Sequence, residues 1–578
     1  MILKALYDYY NRREDLPAPG LEAKQIGFLL VVSKEGKFVR FEDCRIDKGS
    51  ARTYLVKKHV GRSSAAVANY LYDNSAYVLG YSEKENGKEQ LCFNTFKAKI
   101  EEISRAFPEN DDIKTIYAFY QQPREEIFNA ISADPLWEDI RKCLSKKYST
   151  FSFRIENDKK ILAEKRELLQ EEQDGTDGAP LHLCLVTGEK GVSVDTTSAT
   201  PIPGSQATAK LVAFQIKSGY DSYGKTKCYN APISVEAEFA YTTALNAMLE
   251  KGSHNKFRVG DRTFLFWASL NSEAGEKAEA GLFDLLGISG DKNDDPNARI
   301  DHVRKVFHAI HSGSLKTTLD DRFYILGLAP NSARIAVVYW SETSLKDFAG
   351  MILRHFDDMA IVAHKDTKPY MGVGSMVSAV TFGGKQSDAT PNLPEAIVKS
   401  IFQGYPYPFT LFSSCIRRIR AESGEKNSVF AVRAAIIKAY LNRLNDNNKK
   451  IQTMLDKDYT NSGYLCGRLF AVLDKIQEEA SNISSIRERY MNAASATPSA
   501  VFATILNLSV HHAEKLGDGR KVQFEKLKQE ILAKLPADGF PAHLNLQDQG
   551  RFFVGYYHQR QDFFTKNEES NEQINVEQ

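Results

Sequence analysis

Short apolar runs alternate with polar segments along residues 1–363, a pattern that predicts strands separated by amphipathic helices. The runs IGFLLVV and KFVRF flank a Lys-Glu-Gly turn and predict a β-hairpin. Further strands are predicted at residues 76–81, 181–188, 210–216, 262–268, 323–328 and 333–340. Helices are predicted at residues 238–250, 299–313 and 344–356. We therefore expect a region of mixed α/β character.

The pattern changes at residue 364. Residues 364–393 are rich in glycine, proline and small polar residues, which predicts a long connecting loop. Through residues 394–566, apolar residues recur every three or four positions, which predicts a bundle of helices joined by short loops. The acidic tail 567–578 is predicted to be disordered. The expected fold class is α+β, with a mixed α/β N-terminal region followed by an all-α helical bundle.

The composition is that of a globular protein. With 578 residues, the chain exceeds what one hydrophobic core usually organises. It has no run of about 20 apolar residues, and its start, MILKALYDYYNRRED, lacks the apolar segment of a signal peptide. We expect a soluble, cytoplasmic protein with no membrane partner. Seven scattered cysteines without a Cys-x-x-Cys pair predict neither a disulfide framework nor a zinc site, and no metal or cofactor is expected.

Charge is segregated along the chain although the formal net charge is only +1. Residues 45–62 contain six lysines and arginines and one aspartate, and residues 417–450 contain nine lysines and arginines and three acidic residues. Local cationic surfaces of this kind suit a polyanionic partner such as nucleic acid.

Catalytic patterns are few. His302, His308 and His311 share one predicted helix, and Asp357 and Asp358 lie in a second helical segment. Two histidines at helical spacing could offer nitrogens to a metal, but no His-Glu-x-x-His pattern accompanies them. A metal-dependent nuclease or phosphohydrolase that uses this His/Asp cluster therefore remains the alternative function.

Residues 57–81 combine several residue types that bind nucleic acid. Lysine and arginine neutralise phosphates, asparagine can form paired hydrogen bonds with an adenine edge, and tyrosine can stack on a base. The candidates in this stretch are Lys57, Lys58, His59, Arg62, Asn69, Asn74 and Tyr77. The same stretch also suits an ordinary strand, since Asp-Asn favours a turn and tyrosines often pack a sheet.

Ten segments, in order from residue 1 to about 564, together resemble one family, the large subunit of the subtype I-C CRISPR surveillance complex, Cascade. They are MILKALYDYY, NYLYDNSAYVLG, CLVTG, AFQIKSGYDSYGKTKCYNAPIS, AYTTALN, FWA, FYILGLAPNSARIAV, GRLFAVLDKIQ, IRERYMNAASATP and GYYHQRQDFF.

The resemblance implies an RNA-guided DNA-binding subunit that is not an enzyme. Such a subunit reads the protospacer-adjacent motif in double-stranded DNA, promotes duplex opening and R-loop formation, and supports recruitment of a separate helicase-nuclease in trans. Its partners would be crRNA, target DNA, the Cascade backbone and the crRNA-end-binding subunits. On this hypothesis we expect Asn74 and Asn69 to read the motif, with Lys57, Lys58, His59 and Arg62 holding phosphates and Tyr77, Arg52 and Lys24 assisting.

The resemblance extends to the helical region. Candidates there for steering a DNA strand are Arg433, Lys438, Arg468, Arg487 and Arg489, although each also suits a solvated helix face. The family also implies a small subunit translated from an internal start in the same gene. Met454 precedes the first helix of the last bundle and would start a product of residues 454–578, unless it is a core methionine.

Overall fold

The computed structural model describes residues 2–60, 66–82, 87–146, 148–169, 180–215, 219, 221, 223–250, 252–285, 296–363, 372–425, 428–444, 449–481 and 485–576. The chain divides into two compact units. The N-terminal unit comprises Arg13–Thr196 and Ile216–Ala244. The C-terminal unit comprises Met1–Arg12, Thr197–Gln215 and Leu245–Gln578.

The chain begins with helix α1 (Ile2–Asn11), which belongs to the C-terminal unit. The strands of the N-terminal unit are β1 (Leu21–Gln25), β2 (Phe28–Val32), β3 (Phe38–Asp43), β4 (Arg45–Asp47), β5 (Ser50–Ala51), β6 (Thr53–Lys57), β7 (Tyr72–Asn74), β8 (Thr150–Ile155), β9 (Leu181–Leu183) and β10 (Lys190–Val192). Its helices are α2 (Ser75–Val78), α3 (Glu89–Ala106), α4 (Asp111–Gln121), α5 (Arg124–Ser132), α6 (Trp137–Arg141) and most of α7 (Val235–Leu249).

The core of the N-terminal unit is a four-stranded sheet of order β3-β2-β8-β7. The hairpin predicted around the Lys-Glu-Gly turn is confirmed as the antiparallel pair β2–β3. Strands β2 and β8 are parallel, and helices α3 to α6 form the long connection that parallel neighbours require. These helices pack on the sheet through aromatic rings, with Phe96 and Tyr120 about 6 Å from Phe153. Strand β7 pairs with β8 at the edge of this sheet.

The strand predicted at residues 76–81 is instead the short helix α2. The Asn74 side chain caps this helix, because its Oδ1 accepts a hydrogen bond from the Ala76 N–H at 3.0 Å. Gly80, with φ +66°, ends it in the left-handed conformation that favours glycine. A cap and a terminating glycine only six residues apart therefore outweigh the strand preference of Tyr77 and Val78.

The C-terminal unit contains the antiparallel meander β11 (Lys256–Val259), β12 (Arg262–Ala268), β13 (Arg322–Asn331) and β14 (Arg334–Ser344). Its remaining helices are α8 (Glu273–Leu285), α9 (Pro296–Ser312), α10 (Leu345–Met359), α11 (Val373–Val380), α12 (Leu393–Phe402), α13 (Phe409–Ala421), α14 (Ala431–Arg443), α15 (Ser462–Ser481), α16 (Ser485–Ala496), α17 (Pro498–Ala513), α18 (Asp518–Leu532) and α19 (Leu546–Val576). None of the described helices combines the length and the apolar composition that crossing a membrane requires.

The predicted α+β class is confirmed, since all described elements after β14 are helical. Two further details differ from the sequence expectations. Helix α11 lies within the predicted loop 364–393, because Val373, Met376 and Val377 recur at helical spacing and are buried. The described part of the predicted strand 210–216 contains only an isolated bridge from Lys210 to Arg334.

Helix α19 extends to Val576, in keeping with the good helix propensity of glutamate and glutamine. Disorder of the acidic tail 567–578 stays a prediction.

The meander and the helices that follow it share one apolar core. The ring of Phe348 on α10 stacks on Phe323 of β13 at 4.2 Å and also lies 5.7 Å from Phe402 of α12. Phe323 and Phe402 lie in regions that the sequence pattern predicts to be separate, but their side chains belong to a single cluster.

Glycines allow helices α15 and α19 to approach each other closely. A Cβ at Gly467 would overlap the carbonyl oxygen of Phe552, and one at Gly555 would overlap that of Tyr464. The two backbones are therefore in direct contact, and the surrounding rings, such as Phe470 and Phe552 at 5.8 Å, complete the packing.

We expect Gly467→Ala to destabilise the protein by about 1–3 kcal/mol, the usual cost of overpacking, because backbone atoms cannot move aside as a side chain can. Urea denaturation of the variant and the wild type measures the difference. The control is Gly519→Ala on α18, where an added Cβ meets no atom within 4 Å and should leave stability unchanged or slightly raised. Equal losses at both glycines would contradict close packing at Gly467.

Candidate nucleic-acid interface

A two-stranded ribbon carries the first of the predicted phosphate-binding residues. Strands β1 and β6 pair antiparallel, with Lys24 opposite Tyr54 and Lys57 opposite Leu21. Lys57 is the last residue of β6, and Lys58 and His59 follow it directly. Residues at the end of a strand are positioned more precisely than residues in the middle of a long loop.

A carboxylate on β1 joins the ribbon to the sheet. Glu22 Oε2 lies 2.7 Å from His59 Nδ1, and Glu22 Oε1 accepts a hydrogen bond from the Tyr72 hydroxyl at 2.9 Å. The same hydroxyl lies 2.9 Å from the carbonyl oxygen of Lys57. Glu22 therefore ties together β1, the residues after β6 and the first residue of β7.

The charge of Glu22 is stabilised in this position. Burial raises the pKa of its carboxyl, but the hydrogen bond and charge of His59, the charge of Lys24 and the hydrogen bond of Tyr72 together lower the pKa below its ordinary value. Phosphate binding by His59 stays a prediction, and in this conformation its ring is already engaged by an anion.

The two lysines of the interface lie over aromatic rings. Lys57 Nζ is 4.1 Å from the centre of the Tyr70 ring, and Lys58 Nζ is 5.6 Å from the centre of the Phe239 ring. Both side chains are half-buried. A cation-π contact fixes the position of an ammonium group and leaves its positive charge in place. Each ammonium is therefore positioned to bind an anion.

Asn69 is buried and holds the chain between β6 and β7. Its Oδ1 accepts a hydrogen bond from the Val60 N–H at 2.9 Å, and its own N–H donates to Asp73 Oδ2 at 2.9 Å. Base reading by Asn69 stays a prediction, but this geometry favours a role in positioning. Because its amide oxygen is engaged and its side chain is covered, Asn69 is poorly placed to meet a base edge.

Asn74 is exposed at the end of β7. Asp73 Oδ1 accepts a hydrogen bond from the Asn74 N–H at 2.8 Å, which fixes the backbone beneath the side chain. The amide oxygen caps α2, but an amide oxygen has two lone pairs, and the Nδ2 group makes no hydrogen bond within the described residues. Asn74 therefore retains the donors and the acceptor that pairing with an adenine edge requires.

The remaining predicted residues have mixed positions. Tyr77 lies on α2 and is buried in the core, which suits the supporting role expected for it. Arg52 is exposed and Lys24 is half-buried, both near the ribbon. Arg62 lies outside the described residues, so its predicted role is not addressed. The structure thus brings Lys24, His59 and the ends of β6 and β7 into one place, joined by Glu22.

Two residues that build this interface, Glu22 and Asp73, were not predicted from the sequence. Tyr72 was a candidate for stacking on a base, but its hydroxyl donates to Glu22 inside the protein. The side chain of Glu22 meets residues 37 and 50 positions further along the chain, and no sequence pattern marks such a contact. Asp73 could have been found, because aspartate before asparagine often accepts hydrogen bonds from nearby backbone N–H groups.

Four of the five predicted DNA-steering residues in the helical region are buried: Arg433, Lys438, Arg468 and Arg487. Arg433 donates to Glu422 at 2.5 Å and to the Ser428 carbonyl at 2.8 Å, and Arg468 donates to Gln559 at 3.0 Å.

Because these four side chains are buried, none of them presents an exposed charge to DNA. Their role in steering a DNA strand stays a prediction. Arg489 is exposed and is the better candidate.

Burial also makes the ammonium of Lys438 easier to deprotonate. It lowers the pKa of this group to about 8, whereas the charges of Asp358 and Asp357 raise the pKa. Next to it, burial and the charge of Lys438 lower the pKa of His558 to about 3, so this imidazole is neutral. Part of the positive charge counted in residues 417–450 therefore lies inside the protein and not at its surface.

The His/Asp cluster of the alternative function is not assembled. Asp357 Oδ1 pairs with Arg304 at 2.7 Å, and Asp358 Oδ2 pairs with Arg443 at 2.5 Å. In the part of the chain that the structure describes, no three His, Cys, Asp or Glu side chains are grouped so as to hold a metal ion. The alternative site at His302, His308 and His311 thus lacks, within the described residues, the arrangement that metal-dependent hydrolysis needs.

Comparison with protein families gives a match over residues 6–564 to the family described as CRISPR-associated protein (Cas_Csd1). The chain is a CRISPR-associated protein. Because the match covers almost its whole length, the chain belongs to the Cas_Csd1 family, which supports its resemblance to the large subunit of Cascade. A search of curated proteins finds no match.

We expect Glu22→Gln to lower the free energy of unfolding by about 1–2 kcal/mol near pH 7, because a neutral amide binds its partners more weakly than the carboxylate. A carboxyl whose folded pKa lies below its ordinary value of 4.5 stabilises the protein above that pH. Its contribution is lost as the pH falls through the folded pKa. Urea denaturation of wild type and variant at a series of pH values should therefore show a difference that shrinks below about pH 4.

The matched control is Glu109→Gln, an exposed glutamate between α3 and α4 that makes no hydrogen bond within the described residues. Its effect on stability should be negligible at every pH. A Glu22→Gln variant as stable as the wild type near neutral pH would show that Glu22 does not hold the ribbon to the sheet.

Proposed function

We propose that this protein is the non-catalytic large subunit of a type I-C Cascade complex and acts in the cytoplasm. In this role it recognises the protospacer-adjacent motif in double-stranded DNA, promotes duplex opening and R-loop formation, and supports recruitment of a helicase-nuclease in trans. Its membership of the Cas_Csd1 family supports the assignment to a CRISPR system. Its partners would be crRNA, the Cascade backbone subunits and the crRNA-end-binding subunits.

The observation that carries the proposed DNA contact is the position of Asn74. Its side chain is exposed at the end of a sheet strand, and Asp73 fixes its backbone from below. An immobilised amide is what discrimination between bases requires, because a mobile one would lose entropy on binding. Lys57 and Lys58, at the end of the neighbouring ribbon, supply the charge that binds DNA of any sequence.

We expect Asn74→Ser and Asn74→Ala both to reduce discrimination for the motif by about 1–3 kcal/mol, the usual worth of a base contact. Comparison of the two variants separates base recognition from capping of helix α2, because serine is also a good N-cap whereas alanine is not. Only Asn74→Ala should therefore lower stability. The measurement is a binding selection by the complex, reconstituted with crRNA, from duplexes with randomised bases beside the target.

Lys57→Ala provides the contrast. It should weaken binding to every duplex and reduce the salt dependence by about one charge, without changing the selected bases. Lys277→Ala, on α8 where Lys277 pairs with Glu273, should change neither property. The assignment of Asn74 fails if Asn74→Ser selects the same bases as the wild type with the same preference.

We also propose that Met454 starts a separately translated small subunit. Met454 is 62% exposed, which argues against a role as a core methionine. A product that begins there contains α15 to α19. These helices have internal packing of their own, as shown by Phe502 on Phe540 at 4.6 Å and by the contact of α15 with α19.

We expect Met454→Leu to abolish a short C-terminal product of 125 residues (578 − 454 + 1) while leaving the full-length protein folded. Leucine at an exposed position changes no packing. Expression of a gene with a C-terminal tag, followed by a denaturing gel, detects the product. Met491→Leu, at a buried position within α16, is the control and should leave the short product in place. Persistence of the product in Met454→Leu would rule out this start.

A further inference from the structure

Tyr223 is a fully exposed aromatic residue of the N-terminal unit. Its relative exposure is 100%, whereas the exposed aromatics Phe382, Phe409 and Tyr405 reach 72%, 59% and 58%. Large aromatic side chains are normally covered, because they bury more apolar area than most residues. In the described part of the protein, both faces of this ring are open to a ligand.

The backbone presents Tyr223 in an unusual conformation. Its φ is 54°, in the left-handed region that a residue with a Cβ rarely occupies, and Gly224 continues in the same region with φ 72°. Lys227 also has a positive φ of 49°. Glycine adopts this conformation without cost, but Tyr223 and Lys227 do so only where neighbouring groups hold them, and such residues are most often found at functional sites.

Two side chains hold this turn at its base. Asp221 Oδ1 accepts hydrogen bonds from the Lys227 N–H at 3.3 Å and from Asn230 Nδ2 at 3.2 Å. Asn230 Nδ2 also lies 3.1 Å from the Lys227 carbonyl oxygen. The Lys227 ammonium is in turn paired with the Asp195 carboxylate. The tip of the turn is therefore fixed, and Tyr223 projects from it.

The three residues that follow Tyr223 in the chain carry no apolar side chain. Gly224, Lys225 and Thr226 are all exposed, and Lys225 makes no ion pair within the described residues. An aromatic anchor for a protein pocket is usually surrounded by other apolar side chains, which these three residues do not provide. A ring beside an available ammonium instead matches a nucleobase with its phosphate, because every base has a face for stacking.

We propose that Tyr223 is a stacking platform for an unpaired nucleobase of a single-stranded nucleic acid, with Lys225 binding the adjacent phosphate. Such a base could come from an RNA or from a displaced DNA strand, and the chemistry of recognition is the same for both. This proposal uses none of the residues assigned to the Asn74 surface and does not rest on the duplex recognition proposed above.

The test uses the full chain with single-stranded RNA and DNA oligonucleotides of the same sequence that carry 5-iodouracil. Fluorescence anisotropy should show that Tyr223→Ala and Tyr223→Leu lower affinity by about five- to a hundredfold, whereas Tyr223→Phe keeps it, since stacking needs the ring and not the hydroxyl. Photocross-links should map to residue 223. Loss confined to RNA or to DNA identifies the source of the base and supports the site.

Control variants separate this site from folding and from other surface residues. Tyr223→Ala should keep the melting temperature of the wild type, because a fully exposed ring contributes no packing, and Tyr405→Ala should leave affinity unchanged. Lys277→Ala, on α8 where Lys277 pairs with Glu273, should bind single strands normally. The proposal is overturned if Tyr223→Ala binds both oligonucleotides as the wild type does, or if Tyr223→Leu matches Tyr223→Phe, which would indicate an apolar contact such as a protein pocket.

Discussion

Two carboxylates hold the candidate interface in shape. Glu22 connects the end of β6 to the start of β7 through His59 and Tyr72, and Asp73 accepts hydrogen bonds from the backbone N–H groups of Asn69 and Asn74. Both groups are acidic, although the proposed ligand is a polyanion. Their negative charges are engaged by hydrogen-bond partners within the protein. The positive charges of Lys57 and Lys58 therefore determine the local electrostatic field. The cationic surface thus depends on anions placed beneath it.

Aromatic residues have different roles in different parts of the protein. Phe96 and Phe153 lie inside the N-terminal unit and fix the helices on the sheet, and Tyr70 directs the ammonium of Lys57. Tyr223 has no such internal role, and its turn is built from polar side chains around it. An aromatic ring that the fold does not use, held in a defined place, is available for a ligand.

Charge in the sequence was a poor guide to charge at the surface. The segment 417–450 has a strong positive excess, yet Arg433 and Arg443 pair with Glu422 and Asp358 inside the protein. Burying an arginine is tolerable only with such partners, so these residues stabilise contacts between helices. A count of charges cannot distinguish a helix face turned to water from one turned to another helix, because both contain the same residues.

The sequence by itself determined the α+β class, the hairpin β2–β3 and strand β12 over Arg262–Ala268, because periodicity and turn residues are local properties. Only the tertiary structure decided that residues 75–78 form a helix, that Asn69 is covered while Asn74 is exposed, and that Glu22 joins the ribbon to the sheet. Each of these outcomes depends on contacts between residues distant in sequence or on competition between a local cap and strand preference. The same limit applies to Tyr223, whose full exposure follows from a turn held by Asp221 and Asn230.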